Sequence, residues 1–146
     1  MSTKSLTMLQ DKNDQLHLVM YGARHGQPSI FGLDLKDFLV DYKVQDGIQP
    51  YDPIVQTMTK YYADGVACLA AQIVAHFKRR IGDFYIYNST LDVPKEPDYW
   101  YYVTVKSEDL ITLELFQKIE SQYAKRRLLF GGPIKNFNPE GEKMFA

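Results

Sequence analysis

The sequence predicts an α+β domain, an antiparallel sheet built from two hairpins and packed against one long helix and one or two short ones. Three observations carry that expectation. Two pairs of segments alternate apolar and polar residues around short polar turns, one pair near the N-terminus and one pair late in the chain. Between them, apolar residues recur every three to four positions over a long stretch. No internal repeat, low-complexity tract or linker divides the 146 residues, a length typical of one domain. A single domain over 1–146 is therefore expected, with 1–3 and about 138–146 open to fraying.

The first pair is KSLTMLQ and QLHLVMYGA, separated by DKND, which predicts a hairpin from Lys4 to Ala23. After HGQPS the period changes, and Phe31, Leu35, Phe38, Leu39 and Tyr42 fall at helical spacing, predicting a short helix over 34–43. Gly47 and Pro50 punctuate a loop. Asp52 and Pro53 then suit an N-cap and a first turn, and the chain reads as helix to Arg80. Ile54, Met58, Tyr62, Leu69, Ile73 and Phe77 form one apolar stripe; Ala67, Ala70, Ala71 and Ala75 form a second, small-residue surface. A helix apolar on two sides is expected mid-fold or at an oligomer interface. Asp64-Gly65 is a point where it can bend, and Gly82 a natural stop. FYIYN reads as a strand over 84–88, and STLDVPKEP as a loop kept out of the sheet by two prolines. DYWYYVTVK and LITLELF form the second predicted hairpin. Its alternation sends Tyr99, Tyr101, Val103 and Val105 to one face and Trp100, Tyr102, Thr104 and Lys106 to the other. QKIESQYAKRRLLF predicts a helix over about 117–128, and GGPIKNFNPEGEK is turn-rich.

Composition excludes several function classes. No run of 18 apolar residues exists for a helical membrane span, and no signal-peptide core follows Met1-Ser2-Thr3-Lys4. A net charge of −1 gives no general attraction to polyanions, and no helix-turn-helix or zinc signature points to sequence-specific nucleic acid. The single Cys68 can make neither an internal disulfide nor a cysteine metal site. His17, His25 and His76 lack ligand spacing, so no metal or cofactor is expected. The compartment these features favour is the cytoplasm. The composition departs from the ordinary in its rings: eleven Tyr and eight Phe against one Trp. Tyrosine pairs an apolar face with a polar tip, which suits sheets, wet pockets and interfaces.

One motif invites chemistry. Arg24-His25-Gly26 follows a predicted strand, as Arg-His-Gly does in the histidine phosphatases, whose His attacks phosphorus. That reading needs a second His and a second Arg in the pocket and a parallel sheet, none of which the sequence supplies in the expected places. Gly26, Gln27 and Pro28 also explain the motif as a turn. Elsewhere, Lys78-Arg79-Arg80 and Lys125-Arg126-Arg127 are basic clusters. Arg forks grip phosphate and a Tyr or Trp ring stacks a base, so these clusters with the tyrosines could hold an anionic, nucleotide-like ligand; the alternative is that they are solvated helix-end charges.

Taken over 16–137, the order of segments resembles a family of small, uncharacterised phage and prophage proteins. VMYGARHGQPSIFG, ADGVACLAAQIVAHFK, GDFYIY, PDYWYYVTV and LLFGGPIKNF carry the resemblance. That family has a His-Asp-Gly-Tyr-Pro turn where this chain has His25-Gly26-Gln27-Pro28. The resemblance implies an accessory phage protein in a host cytoplasm. The leading expectation is a non-enzymatic protein that self-associates and sequesters a small anionic ligand, a nucleotide signal of host defence. Its expected binding residues are Arg24, His25, Gln27, Asn88, Tyr99, Tyr101, Arg126 and Arg127, with no catalytic residue. A protein–protein inhibitor is the alternative, and a histidine-phosphatase-like enzyme ranks third.

Overall fold

The computed structural model describes residues 2–48, 61–119 and 125–139. Strands β1 (Ser5–Gln10), β2 (Leu16–Gly22), β5 (Phe84–Ile86), β6 (Tyr99–Ser107), β7 (Leu110–Lys118) and β8 (Arg126–Pro133) form one sheet in the order β5-β2-β1-β6-β7-β8. Neighbours pair antiparallel except β1 and β6, which run parallel. The chain is thus mixed α/β, with a mostly antiparallel six-stranded sheet and two helices among the described residues. The sheet is wider than two adjacent strand pairs. Short β5 lies on the edge beyond β2, β8 lies beyond β7, and a parallel seam joins the halves.

Helices α1 (Leu33–Leu39) and α2 (Gly65–Phe77) cover one face of the sheet. The period-2 alternation decides what they cover. Tyr101, Val103, Leu113 and Leu115 point inward and are fully buried with Leu35, Leu39, Leu69, Ile73 and Phe137. The opposite parity of the central strands builds a second, smaller core of Leu6, Met8, Val19 and Tyr21, flanked by Trp100, Tyr102, Tyr87 and Val93. With apolar residues on both faces, β1 is buried along nearly its whole length, as a central strand should be.

Three predicted elements differ. The long helix over 53–80 is shorter, because Tyr62–Asp64 forms β4, which pairs parallel with β3 (Lys43–Gln45). Asp64 lies outside helical dihedrals and Gly65 takes φ +79°, so helix can begin only after them. Strand pairing overrode the apolar stripe at Tyr62. Residues 53–60 of that expectation lie outside the described residues. Along α2, Leu69, Ala70 and Ile73 face the core while Ala67, Ala71 and Ala75 are exposed, so only one side is buried within the chain. The helix expected over 117–128 is strand at both ends. Gln117 and Lys118 finish β7, paired with Arg127 and Arg126 of β8; residues 120–124 lie outside the described residues. The helix expected over 34–43 stops at Leu39 and is preceded by a wide π-type turn, Pro28–Gly32. Gly32 is closely packed there. A Cβ would sit 3.1–3.2 Å from the rings of Phe137 and Tyr101.

Candidate functional site

The sheet register lines up one end of the molecule. Phe84, Gly22, Ser5, Tyr99, Gln117 and Arg127 are successive partners across the six strands. Just beyond this row, the chain leaving β2 makes the Arg-His-Gly turn. The Asp83 carbonyl accepts from Ala23 N at 2.7 Å, and its carboxylate holds Arg24 Nε at 2.9 Å and Arg80 Nε at 2.6 Å. Those guanidinium groups, Arg80 first, keep the Asp83 carboxyl below its usual range. Gly26 is fixed from two sides. Its N–H donates to Thr3 O at 3.0 Å, and its carbonyl accepts from the buried Tyr101 hydroxyl at 2.8 Å. Between these anchors His25 takes φ +58°, a left-handed conformation that costs a non-glycine residue about 1 kcal/mol or more. The exposed His25 is therefore presented by a pinned, strained turn.

Gly26 admits no side chain. A Cβ would lie 2.8 Å from Ser5 Cβ and 3.0 Å from the backbone of Lys4 and Ser5. Gly26→Ala is expected to cost about 1–3 kcal/mol by overpacking and to displace His25. Urea titration would read the loss as a lower midpoint at unchanged slope, and a wild-type midpoint would refute the fit.

This turn borders an open cleft of about 690 Å³, walled also by the N-terminal residues Ser2–Lys4, by β5 and by the 89–97 loop. Among the described residues three cations line it, Lys4, Arg24 and Lys95, and no carboxylate does. Three rings line it as well: Tyr21, Tyr85 and Tyr87. Tyr21 and Tyr85 lie 6.5 Å apart at 48°. Burial, with Asp98 second, raises the Tyr21 phenol above its usual pKa, so it stays a neutral donor. Gln27 also lines the cleft, and its buried amide oxygen has no protein hydrogen-bond partner. An unpaired buried amide is costly unless something else meets it.

The other expected binding residues divide. Tyr99 lines an adjoining cleft of about 730 Å³ that shares Ser2, Thr3 and Lys4 with the first. Gln117 Nε2 donates to the Tyr99 hydroxyl at 3.3 Å, and Arg127 donates to Gln117 Oε1 at 2.7 Å, so Gln117 ties these two together. Tyr101 cannot stack on a ligand. It is fully buried, edge-on to Phe31 at 5.1 Å, and acts on the site only through Gly26. Arg126 belongs to the outer sheet face, where its guanidinium lies 4.9–5.4 Å from the Trp100, Tyr102 and Phe116 rings. Asn88 is exposed and lines neither cleft. Sequence reasoning missed Lys4, Tyr85, Tyr87, Lys95 and Gln117. The alternation in FYIYN could have found the tyrosine pair; nothing local marks the lysines.

On its other side the Arg24–His25 ridge bounds a third cleft, of about 410 Å³, which also contains His76 and Arg79. The sequence separates His25 from His76; the fold brings them to one cleft. A histidine-phosphatase fold does not accompany them, since in the six-stranded sheet only β1 and β6 pair parallel. The His76 ring stacks on Phe38 at 4.2 Å and 19°. Burial, then Arg79, lowers its pKa below 6.5, against a smaller opposing pull from Asp34. The folded state then binds fewer protons than the unfolded one, so this contribution to stability is complete above pH 6.5 and is lost as pH falls through that value. Thermal melts between about pH 7.5 and pH 5 are expected to show a falling Tm, with a smaller slope in His76→Gln; identical slopes would refute the assignment.

Among the described residues, no three His, Cys, Asp or Glu converge to hold a metal ion, and no helix is long and apolar enough to cross a membrane. No family model, no curated protein and no solved structure matches the chain.

Proposed function

We propose that the protein is a binding protein that holds a small anionic, ring-bearing ligand of the nucleotide class in the 690 Å³ cleft and does not transform it. The observation that carries this is the charge asymmetry of the lining among the described residues: Lys4 and Lys95, joined by Arg24, whose Nε is held by Asp83, with no carboxylate in the wall. In a protein with nearly balanced charge, a wall of one sign attracts and retains an anion. The volume lies within the usual range for ligand pockets, about 300–1,000 Å³. Tyr85 on the edge strand and Tyr87 just after it offer ring faces for a base, and Gln27 lines the same cleft. The natural setting for such a protein is that of a phage accessory factor capturing a host nucleotide signal in the cytoplasm. Self-association would use the exposed Ala67, Ala71 and Ala75 face of α2.

Purified protein should be denatured and the released small molecules identified by mass spectrometry, alongside calorimetric titration with ADP-ribose and a cyclic dinucleotide. The expected result is saturable binding and recovery of the nucleotide intact. Recovery of a cleaved product would make the protein an enzyme, and no binding to either probe would end the nucleotide reading.

A further inference from the structure

The third cleft has a different chemistry from the first. Its floor is apolar. Phe31, Phe77 and Phe84 form a cluster with ring centroids 5.1–5.9 Å apart, beside Ile30, which is 42% exposed. Its charges are mixed. Arg24 is already engaged by Asp83, and Asp83 is shared with Arg80. That leaves Arg79 and Asp34, which both line the cleft and make no ion pair among the described residues. One unspent charge of each sign thus stands over an aromatic floor.

That pattern discriminates between ligands. A simple anion gains Arg79 but meets Asp34; a simple amine gains Asp34 but meets Arg79. A molecule that carries both an ammonium and a carboxylate offers a partner to each and leaves its side chain for the floor. At about 410 Å³ the cleft is at the small end of ligand sites. The His76 ring, stacked on Phe38 and edge-on to Phe77 at 4.8 Å, is held in orientation, so its nitrogens can select a hydrogen-bond direction. The lowered pKa of that ring keeps it neutral near pH 7, able to accept from an ammonium or donate to a carboxylate.

We propose that this cleft binds a single α-amino acid with an aliphatic or aromatic side chain, in its zwitterionic form, with Arg79 on the carboxylate, Asp34 on the ammonium and the Phe31–Phe77–Phe84 floor under the side chain. This site does not depend on the nucleotide reading, since Asp34, His76 and Arg79 line only this cleft among the three at this end of the molecule.

The test is titration of the full chain with L-phenylalanine, L-leucine, 3-phenylpropionate and phenethylamine, reading calorimetric heats and the His76 imidazole proton resonances. The two amino acids should saturate and shift His76. Each analogue lacking one charge should bind at least about tenfold more weakly, a difference of about 1.4 kcal/mol. Asp34→Asn and Arg79→Gln should each weaken L-phenylalanine by about tenfold or more at unchanged Tm, because both side chains are exposed. Glu114→Gln, exposed on β7 away from the cleft, should bind like the wild type. Absence of saturation by either amino acid, or equal affinity for the single-charge analogues, would overturn the proposal. Wild-type affinity in both Asp34→Asn and Arg79→Gln would do the same.

Discussion

Tyr101→Ala is expected to lower the stability of the fold by about 3–5 kcal/mol, the usual cost of deleting a buried ring. Against a total of about 5–15 kcal/mol for a domain, this leaves a marginal protein. Tyr101 is fully buried two residues into β6, packed against Phe31 and close to Gly32 of the π-type turn. Tyr101→Phe separates the hydroxyl from the ring. It should cost about 1–3 kcal/mol, because the Gly26 carbonyl loses its donor. That variant should also weaken ligand binding, since the released carbonyl belongs to the turn presenting His25 and Gln27. Urea titration and nucleotide titration of the same variant check both effects. A Tyr101→Phe protein with wild-type stability would show that the hydroxyl does not hold the turn.

The phenol of Tyr101 also predicts a pH limit. Burial pushes its pKa well above 10.0, and burial raises Tyr21, Tyr42 and Tyr99 in the same direction. In the unfolded chain these phenols ionise near 10; in the fold they retain their protons. Their contribution to stability is therefore complete below pH 10 and is lost as pH rises beyond it. Tyr101→Phe should flatten that alkaline decline.

The second large effect concerns binding. Arg24→Glu with Lys95→Glu turns a cleft of three cations and no carboxylate into one with a single cation and two carboxylates. Each lost charge-assisted hydrogen bond costs about 1.5–3 kcal/mol, so nucleotide affinity should fall at least about 100-fold. Both side chains are exposed, and the Arg24–Asp83 contact is a surface ion pair of the kind that adds little to stability. The double variant should therefore stay folded, and wild-type affinity should itself weaken with salt as the cations are screened. Titration calorimetry at two ionic strengths reads both. Undiminished binding in the folded double variant would place the ligand elsewhere.

How legible was the site? Arg24, His25 and Gln27 could be read because a strand ending in a Gly-x-Pro turn announces itself within a few residues. Tyr99 and Arg127 could be nominated but not connected, since their link is Gln117, whose position depends on the β6–β7–β8 register. Tyr101 looked like Tyr99 by alternation, and both point to the helix side; only distance along the strand buries one and leaves the other at the rim. Lys95 sits in a loop with no pattern at all, and its place in the cleft follows from how that loop lies across the outer face.

The sequence by itself determined the local periods: which residues of DYWYYVTVK share a face, where QLHLVMYG must turn, and that an α+β domain results. These depend on the geometry of a strand or helix over a few residues, which neighbouring side chains fix. The tertiary structure decided what lies far apart in the chain. It made 62–64 and 126–128 strand rather than helix by giving their backbone groups partners, it joined the two halves through the parallel β1–β6 seam, and it brought His76 and Arg79 to Arg24 and His25. Backbone hydrogen bonding and packing between distant segments outweigh a helical stripe whenever a paired strand satisfies more groups, and no local pattern records that competition.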